Sequence, residues 1–94
     1  MVRLARTEVK KRLKHLPGWR LAGKSIQKKF KFRNFVEAVK FVNKLVPIAE
    51  KMQHHPDVSI KNYNEVIVSS TTHDEKGLTV WDFQLAHKID KFAQ

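Results

Sequence analysis

The stretch Asn34-Phe-Val-Glu-Ala-Val-Lys-Phe-Val-Asn-Lys-Leu-Val-Pro-Ile-Ala-Glu-Lys-Met-Gln-His-His-Pro56 reads as one long amphipathic helix that ends at a histidine pair. Phe35, Ala38, Val39, Val42, Leu45, Val46, Ala49 and Met52 recur at helical spacing, which predicts a helix over about residues 35 to 53 with a broad apolar side. Asn34 is placed to cap it, and Glu37 three residues on gives a variant of the capping-box spacing. Pro47 falls inside the pattern and has no N–H for the carbonyl of Asn43, so a kink or a break is expected there. Pro56 disfavours helical geometry at His55, which puts the helix end close to His54 and His55.

That end carries chemistry. His54, His55 and, beyond an apolar-rich segment, His73 can converge with the carboxylate of Glu50 on a small polar ligand. An imidazole has an unperturbed pKa of about 6.5, so both protonation states are accessible near neutral pH and proton transfer is the chemistry such a set suits. Glu50 and His54 are four residues apart and share a face if the helix reaches that far, which would let the carboxylate orient the ring. His54 and His55 cannot point the same way in a regular element. At a helix end before proline, however, they can line one cavity from different sides. Thr71 and Thr72 offer short polar donors beside His73, suited to a flat heterocycle with amide-like edges. Trp19 either stacks on that heterocycle or anchors the core. No cysteine is present and no spacing matches His-Glu-x-x-His, so no metal is assigned.

Outward from the long helix, the pattern alternates. Thr7 can cap a first helix over about residues 8 to 15, stopped by Leu16-Pro17-Gly18. Trp19 and Leu21 begin a short strand, Ala22-Gly23-Lys24 a turn, and Ile26, Lys28, Phe30 and Phe32 share one face of a second strand. Lys28 interrupts that apolar face, which points to an edge or strand end. Val58 to Ile60 and Glu65 to Thr72 read as two more strands joined through Asn62-Tyr63-Asn64. Val66 and Val68 are on one face of the latter, with Ile67, Ser69, Thr71 and His73 on the other. A last helix follows Thr79, where Thr79-Val-Trp-Asp82 again has capping-box spacing, so Asp82 is read as a capping or supporting residue rather than an acid. The expected architecture is α+β: one two-layer domain over residues 1–94, with a four-stranded antiparallel sheet and three helices on one face in the order α-β-β-α-β-β-α. Phe30, Phe32 and Ile67 are candidates to bury the sheet's other face in a dimer.

Ninety-four residues with 41% hydrophobic content make one folded domain with a modest core. No apolar run is long enough to span a membrane, and no secretory h-region follows Arg3 and Arg6, so a cytoplasmic location is expected. The net charge of +10 is uneven: residues 1–33 hold twelve Lys or Arg against the single acid Glu8, a net of +11. Such a field permits attraction to nucleic acid, and Phe30 and Phe32 among Lys28, Lys29, Lys31 and Arg33 could stack single-stranded bases, but no complete nucleic-acid motif is present.

The ordered set Gly18-Trp19, Phe30-Lys-Phe32 with Phe35, Glu50-x-x-x-His54-His55-Pro56, Tyr63-Asn64-x-Val66, Thr72-His73, Gly77-Leu78-Thr79-x-x-Asp82 and Leu85-Ala86 resembles the pterin-4a-carbinolamine dehydratase family, from about residue 7 to residue 92. Ser70 stands where a larger aliphatic is usual, Val58 where tryptophan is common, and Asp74 in place of a frequent glutamate. The segment between His55 and Tyr63 is one residue longer than in some members. The resemblance implies a lyase that dehydrates 4a-hydroxytetrahydropterin to quinonoid dihydropterin, in tetrahydrobiopterin metabolism or on another pterin-like compound, including one connected with the molybdenum cofactor. It implies no metal or organic cofactor, and assembly as homodimers or dimers of dimers. His54, His55 and His73 would surround the carbinolamine, with His55 as principal base and His54 or His73 as acid. Glu50 would orient and polarise, Trp19, Thr71, Thr72 and Asp74 would contact or frame the substrate, and Pro56 and Asp82 would support the site. Some relatives double as partners of transcription factors, so a basic accessory protein on the same scaffold is the alternative.

Overall fold

Helix α2, Phe35–Met52, forms the backbone of the helical layer in a computed structural model that describes residues 2–93. Asn34 caps it as expected, its Oδ1 accepting the Glu37 N–H at 2.9 Å. The buried stripe is Ala38, Phe41, Leu45, Ile48 and Ala49. It is therefore rotated from the expected one: Phe41 and Ile48 are buried, whereas Phe35 and Val46 stay in water. Pro47 neither breaks nor ends the helix. It lies with Asn43 on the exposed side, where water can take the carbonyl that the proline leaves without a donor.

Four strands follow the predicted order. They are β1 (Arg20–Ala22), β2 (Ser25–Lys31), β3 (Asp57–Lys61) and β4 (Glu65–Ser70), arranged antiparallel as β1-β2-β4-β3. The β1–β2 hairpin closes through Gly23 and Lys24, with Ala22 opposite Ser25. Gly23 supplies the positive φ of 62° that a two-residue hairpin loop demands. Helix α1 spans Arg6–Leu13 and α3 spans Val80–Ala93, so the domain is α+β with its three helices packed on one sheet face. Ala5, not Thr7, precedes the first helical residue of α1, and no side chain caps that end.

The core lies between the layers. Ile26, Phe30, Val66 and Val68 face Phe41, Phe83, Ala86 and Ile89. Phe41 sits between Phe30 and Phe32, with ring centroids 4.8 and 4.9 Å away, and such pairs contribute about 0.5–1.5 kcal/mol beyond their area. Two expectations fail here. Phe30 is buried in this core and Phe32 packs against its margin on the helix side, so neither can close a dimer across the sheet's other face. Nor is Lys28 at an edge: it is mid-strand in the central β2, on the helix side, paired with Asp90 at 3.0 Å. Gly18 makes room for it, since a Cβ there would stand 2.9 Å from the Lys28 Cε.

Candidate active site

The histidine corner is made by the way α2 stops. Gln53 takes the left-handed conformation (φ 53°), its N–H reaching the Glu50 carbonyl while the His54 N–H reaches that of Ala49. This is a Schellman motif with glutamine where glycine is usual. The reversal sends the two rings apart. His54 turns inward, 13% exposed, and its Nε2 lies 2.7 Å from Asp82 Oδ1. His55 turns outward and its Nε2 lies 2.5 Å from Glu50 Oε2, both side chains being more than half exposed. Glu50 thus holds His55 rather than the expected His54. The i,i+4 relation fails because the helix ends at Met52, and the chain folds back to bring residue i+5 over the carboxylate.

Asp82 is the centre of the arrangement. It is wholly buried, and its two oxygens receive the Ser70 hydroxyl at 2.6 Å, the Thr72 hydroxyl at 2.8 Å, the Thr79 N–H at 3.0 Å and His54. Four donors fill the acceptor capacity of one carboxylate. The Thr79 N–H bond is the capping-box contact expected from sequence, and Thr79 Oγ1 completes the cap by accepting the Trp81 N–H at 3.2 Å. With Asp82 as acceptor, His54 donates from Nε2, and its Nδ1 has no protein partner among the described residues.

Thr72 leads directly into the 3₁₀ turn His73–Glu75, so one carboxylate joins the chain before His73 to the ring of His54. His73 and Asp74 stand exposed on that turn, and neither side chain has a polar partner among the described residues. Thr71 donates to the Lys24 carbonyl at 2.6 Å, and Thr72 is held by Asp82 and Thr79. Both hydroxyls are thereby engaged within the protein. Trp19 lies in the core, edge-on to Phe30, with its indole N–H shared between the Asp90 oxygens at 3.1 and 3.2 Å. Asp90 is eight residues from Asp82 along α3, about 12 Å of helix. Beside His55, a hollow of about 190 Å³ opens between Pro56, Val58, Val42 and Val46. Among the described residues no group of three or more His, Cys, Asp or Glu side chains is placed to hold a metal ion.

Two participants escaped the sequence reading, Ser70 and Asp90. Ser70 had a signal: residues 66, 68, 70 and 72 share the buried face of β4 and its continuation, so two successive hydroxyls there require a buried acceptor. Asp90 had one too, because an interior Lys28 requires an anion.

A two-layer α+β domain that orients two imidazoles with two carboxylates at one sheet end is a scaffold for acid–base chemistry on a small ligand. The chain belongs to the pterin-4a-carbinolamine dehydratase family: the family model described as Pterin 4 alpha carbinolamine dehydratase matches residues 2–92. A Sulfurisphaera tokodaii protein provisionally named as such a dehydratase is 50% identical over 91 residues, covering 97% of either chain. One from a Picosynechococcus species is 51% identical over 89 residues, covering 95% of this chain and 96% of that one. Among solved structures, a transcriptional coactivator/pterin dehydratase from Brucella melitensis superposes with a TM-score of 0.91 at 35% identity, covering 98% of this chain and 99% of that one. A pterin dehydratase-like RuBisCO assembly factor of the alpha-carboxysome shares the fold alone, at TM-score 0.70 and 22% identity over 84% of this chain and 93% of that one.

Proposed function

We propose that this chain dehydrates 4a-hydroxytetrahydropterin to quinonoid dihydropterin at the corner formed by the end of α2 and the His73 turn. The observation that carries the reading is the buried Asp82, which ties His54 to the segment leading into His73. In the reaction a base removes the N5 proton, the N5 electrons form the N5=C4a bond, and the C4a–O bond breaks as an acid protonates the leaving hydroxyl. Water departs, so atoms and charges balance. His55, turned by Glu50 so that Nδ1 is free, acts as the base. His54 or His73 supplies the proton to the hydroxyl. Asp82 fixes the His54 tautomer in the way that a carboxylate orients imidazole in other acid–base sites. Pro56 holds His55 at the rim, and Asp74 and Thr72 frame the substrate from the His73 side.

The test is stopped-flow dehydration of freshly generated carbinolamine. His55→Ala lowers turnover by about 10²–10⁴-fold with the far-UV circular dichroism unchanged. Undiminished dehydration by that variant removes His55 from the base role. Assembly into homodimers or dimers of dimers is supported by the exposed Val46 and Val58 that line the hollow beside His55. Sedimentation velocity reads it directly. A cytoplasmic setting fits a chain without cysteine, and no helix among the described residues is long and apolar enough to cross a membrane.

A further inference from the structure

Three cations of the first third meet Lys76 at one place. Arg3, Arg6, Lys24 and Lys76 line a hollow of about 430 Å³ between the N-terminal segment, the β1–β2 turn and the end of the His73 turn. Its floor is apolar, made by Leu4, Val9, Leu21 and Leu78, and no acid lines it. None of the four cations meets a carboxylate within 4.0 Å among the described residues, although five Lys or Arg pairs with a carboxylate form elsewhere. At physiological salt the screening length is about 8 Å, so cations around one hollow repel one another. The N-terminus of α1, which no side chain caps, adds positive potential of the same sign where Arg6 begins the helix.

The backbone that carries these cations is also held in place. The Leu4 N–H bonds the Leu78 carbonyl at 2.7 Å. The Arg3 stem lies on the bare backbone of Gly77, where a Cβ would stand 2.5 Å from Arg3 Cδ. Lys76 occupies a left-handed conformation (φ 56°), which costs a lysine more than the glycine or asparagine usual there. Thr71, bonded to Lys24, fastens the hairpin turn to the same loop.

We infer that this hollow is an anion site for a phosphate group carried by a small molecule. The apolar floor of four aliphatic side chains within the ring of cations favours a small amphipathic ligand over the backbone of a nucleic acid, which would instead follow an extended cationic track. The phosphate belongs either to the side chain of a pterin seated at the histidines or to a separate effector. Lys76 closes the 3₁₀ turn that His73 opens, with its N–H on the His73 carbonyl at 3.1 Å, so the hollow lies next to the catalytic turn. The binding claim does not depend on the dehydratase reading, because it is read without turnover.

The test is an amide-resolved NMR titration with inorganic pyrophosphate at ionic strength held constant with sodium chloride. We expect saturable one-to-one binding with shifts centred on Leu4, Gly23, Gly77 and Leu78. The Arg3→Gln/Lys76→Gln variant weakens it by about tenfold or more, through loss of two charge-assisted contacts. Lys24→Gln alone gives a smaller loss and leaves the Arg3 packing intact. The charge-matched control Lys88→Gln/Lys91→Gln, on α3, binds like the parent. Non-saturating shifts, equal loss in the control, or a single-stranded oligonucleotide that binds the double variant as tightly as the parent while pyrophosphate gives no localised shift, overturns the proposal. Dehydration assays with pterins bearing phosphorylated and unphosphorylated side chains distinguish the sources. A KM raised only for the phosphorylated substrate in the double variant assigns the anion to the substrate, and unchanged KM with lost pyrophosphate binding assigns it to an effector.

Discussion

Replacing Asp82 by asparagine inverts the proton on His54 without emptying the site. Oδ1 accepts from His54 and Ser70, and Oδ2 accepts from Thr72 and the Thr79 N–H. An asparagine must put its NH₂ at one of these two places. At the Oδ2 place it would face the Thr79 N–H, a backbone donor that cannot reverse. At the Oδ1 place it faces a hydroxyl that can rotate to accept and an imidazole nitrogen that can lose its hydrogen to Nδ1. The second arrangement therefore wins, and His54 becomes Nδ1–H with Nε2 as acceptor.

The cost follows from the same count. Four bonds to a carboxylate become four neutral ones, and charge-assisted bonds contribute about 1.5–3 kcal/mol net against about 0.5–1.5 for neutral bonds. The bonds share one acceptor group and are not additive, so the loss is about 2–4 kcal/mol, within the roughly 5–15 kcal/mol available to a domain of this size. With a urea slope of about 1–3 kcal/mol per molar, the midpoint falls by about 0.7–4 M. Long-range ¹H–¹⁵N NMR on the imidazoles reads the tautomer of His54, and stopped-flow dehydration reads the consequence, a loss of about 10²–10⁴-fold if His54 is the acid, because a neutral amide no longer supports its imidazolium. An unchanged tautomer together with an unchanged urea midpoint refutes the idea that Asp82 sets the state of His54.

Three more outcomes are expected. Glu50→Gln lowers turnover while costing at most about 1 kcal/mol of stability, because the Glu50–His55 pair is exposed; chemical denaturation beside the kinetic assay separates the two effects. Trp19→Phe removes the indole N–H from Asp90 and costs about 1–3 kcal/mol with turnover within twofold of the parent; a large KM increase at unchanged stability would instead place Trp19 against the substrate. The Glu65 carboxyl is held below its ordinary value near 4.5, first by the Asn62 amide and then by Lys29 and Lys31. A depressed folded pKa gives stability that is present above the unfolded value and lost as pH falls through the folded one. Glu65→Gln should therefore be less stable than the parent near neutrality and converge with it in strong acid, as urea midpoints across that range will read.

Elements with a single strong period were legible in the sequence. The α2 span and its Asn34 cap, the Gly23 turn, the alternation along β4 and the Thr79–Asp82 box all rest on local backbone chemistry that neighbours do not override. What escaped was decided by tertiary partners. Lys28 read as an edge residue because an unpaired lysine is unaffordable inside, and only the distant Asp90 makes the central position tenable. The apolar arc of α2 is wider than the face the sheet can cover, so periodicity alone could not choose Phe41 and Ile48 over Phe35 and Val46. The partner of Glu50 turned on one dihedral, the left-handed Gln53, which no residue preference announces.

Helix α3 explains why two carboxylates are kept under the sheet face that it covers. Asp82 engages β4 through Ser70 and then Thr72, and Asp90, two turns on, engages β2 through Lys28 and the hairpin entry through Trp19. Apolar contacts from Phe83, Ala86 and Ile89 bind the helix to the sheet, but such contacts are nondirectional and tolerate sliding. Two directional attachments to different strands, about 12 Å apart along the helix axis, leave neither translation nor rotation free. His54 is hydrogen-bonded to one of those attachments, so its ring inherits the rigidity of the sheet although it lies beyond the last turn of a helix. It follows that loosening the far attachment, as Asp90→Asn does, should broaden the His54 imidazole resonances even though residue 90 touches neither histidine of the pair.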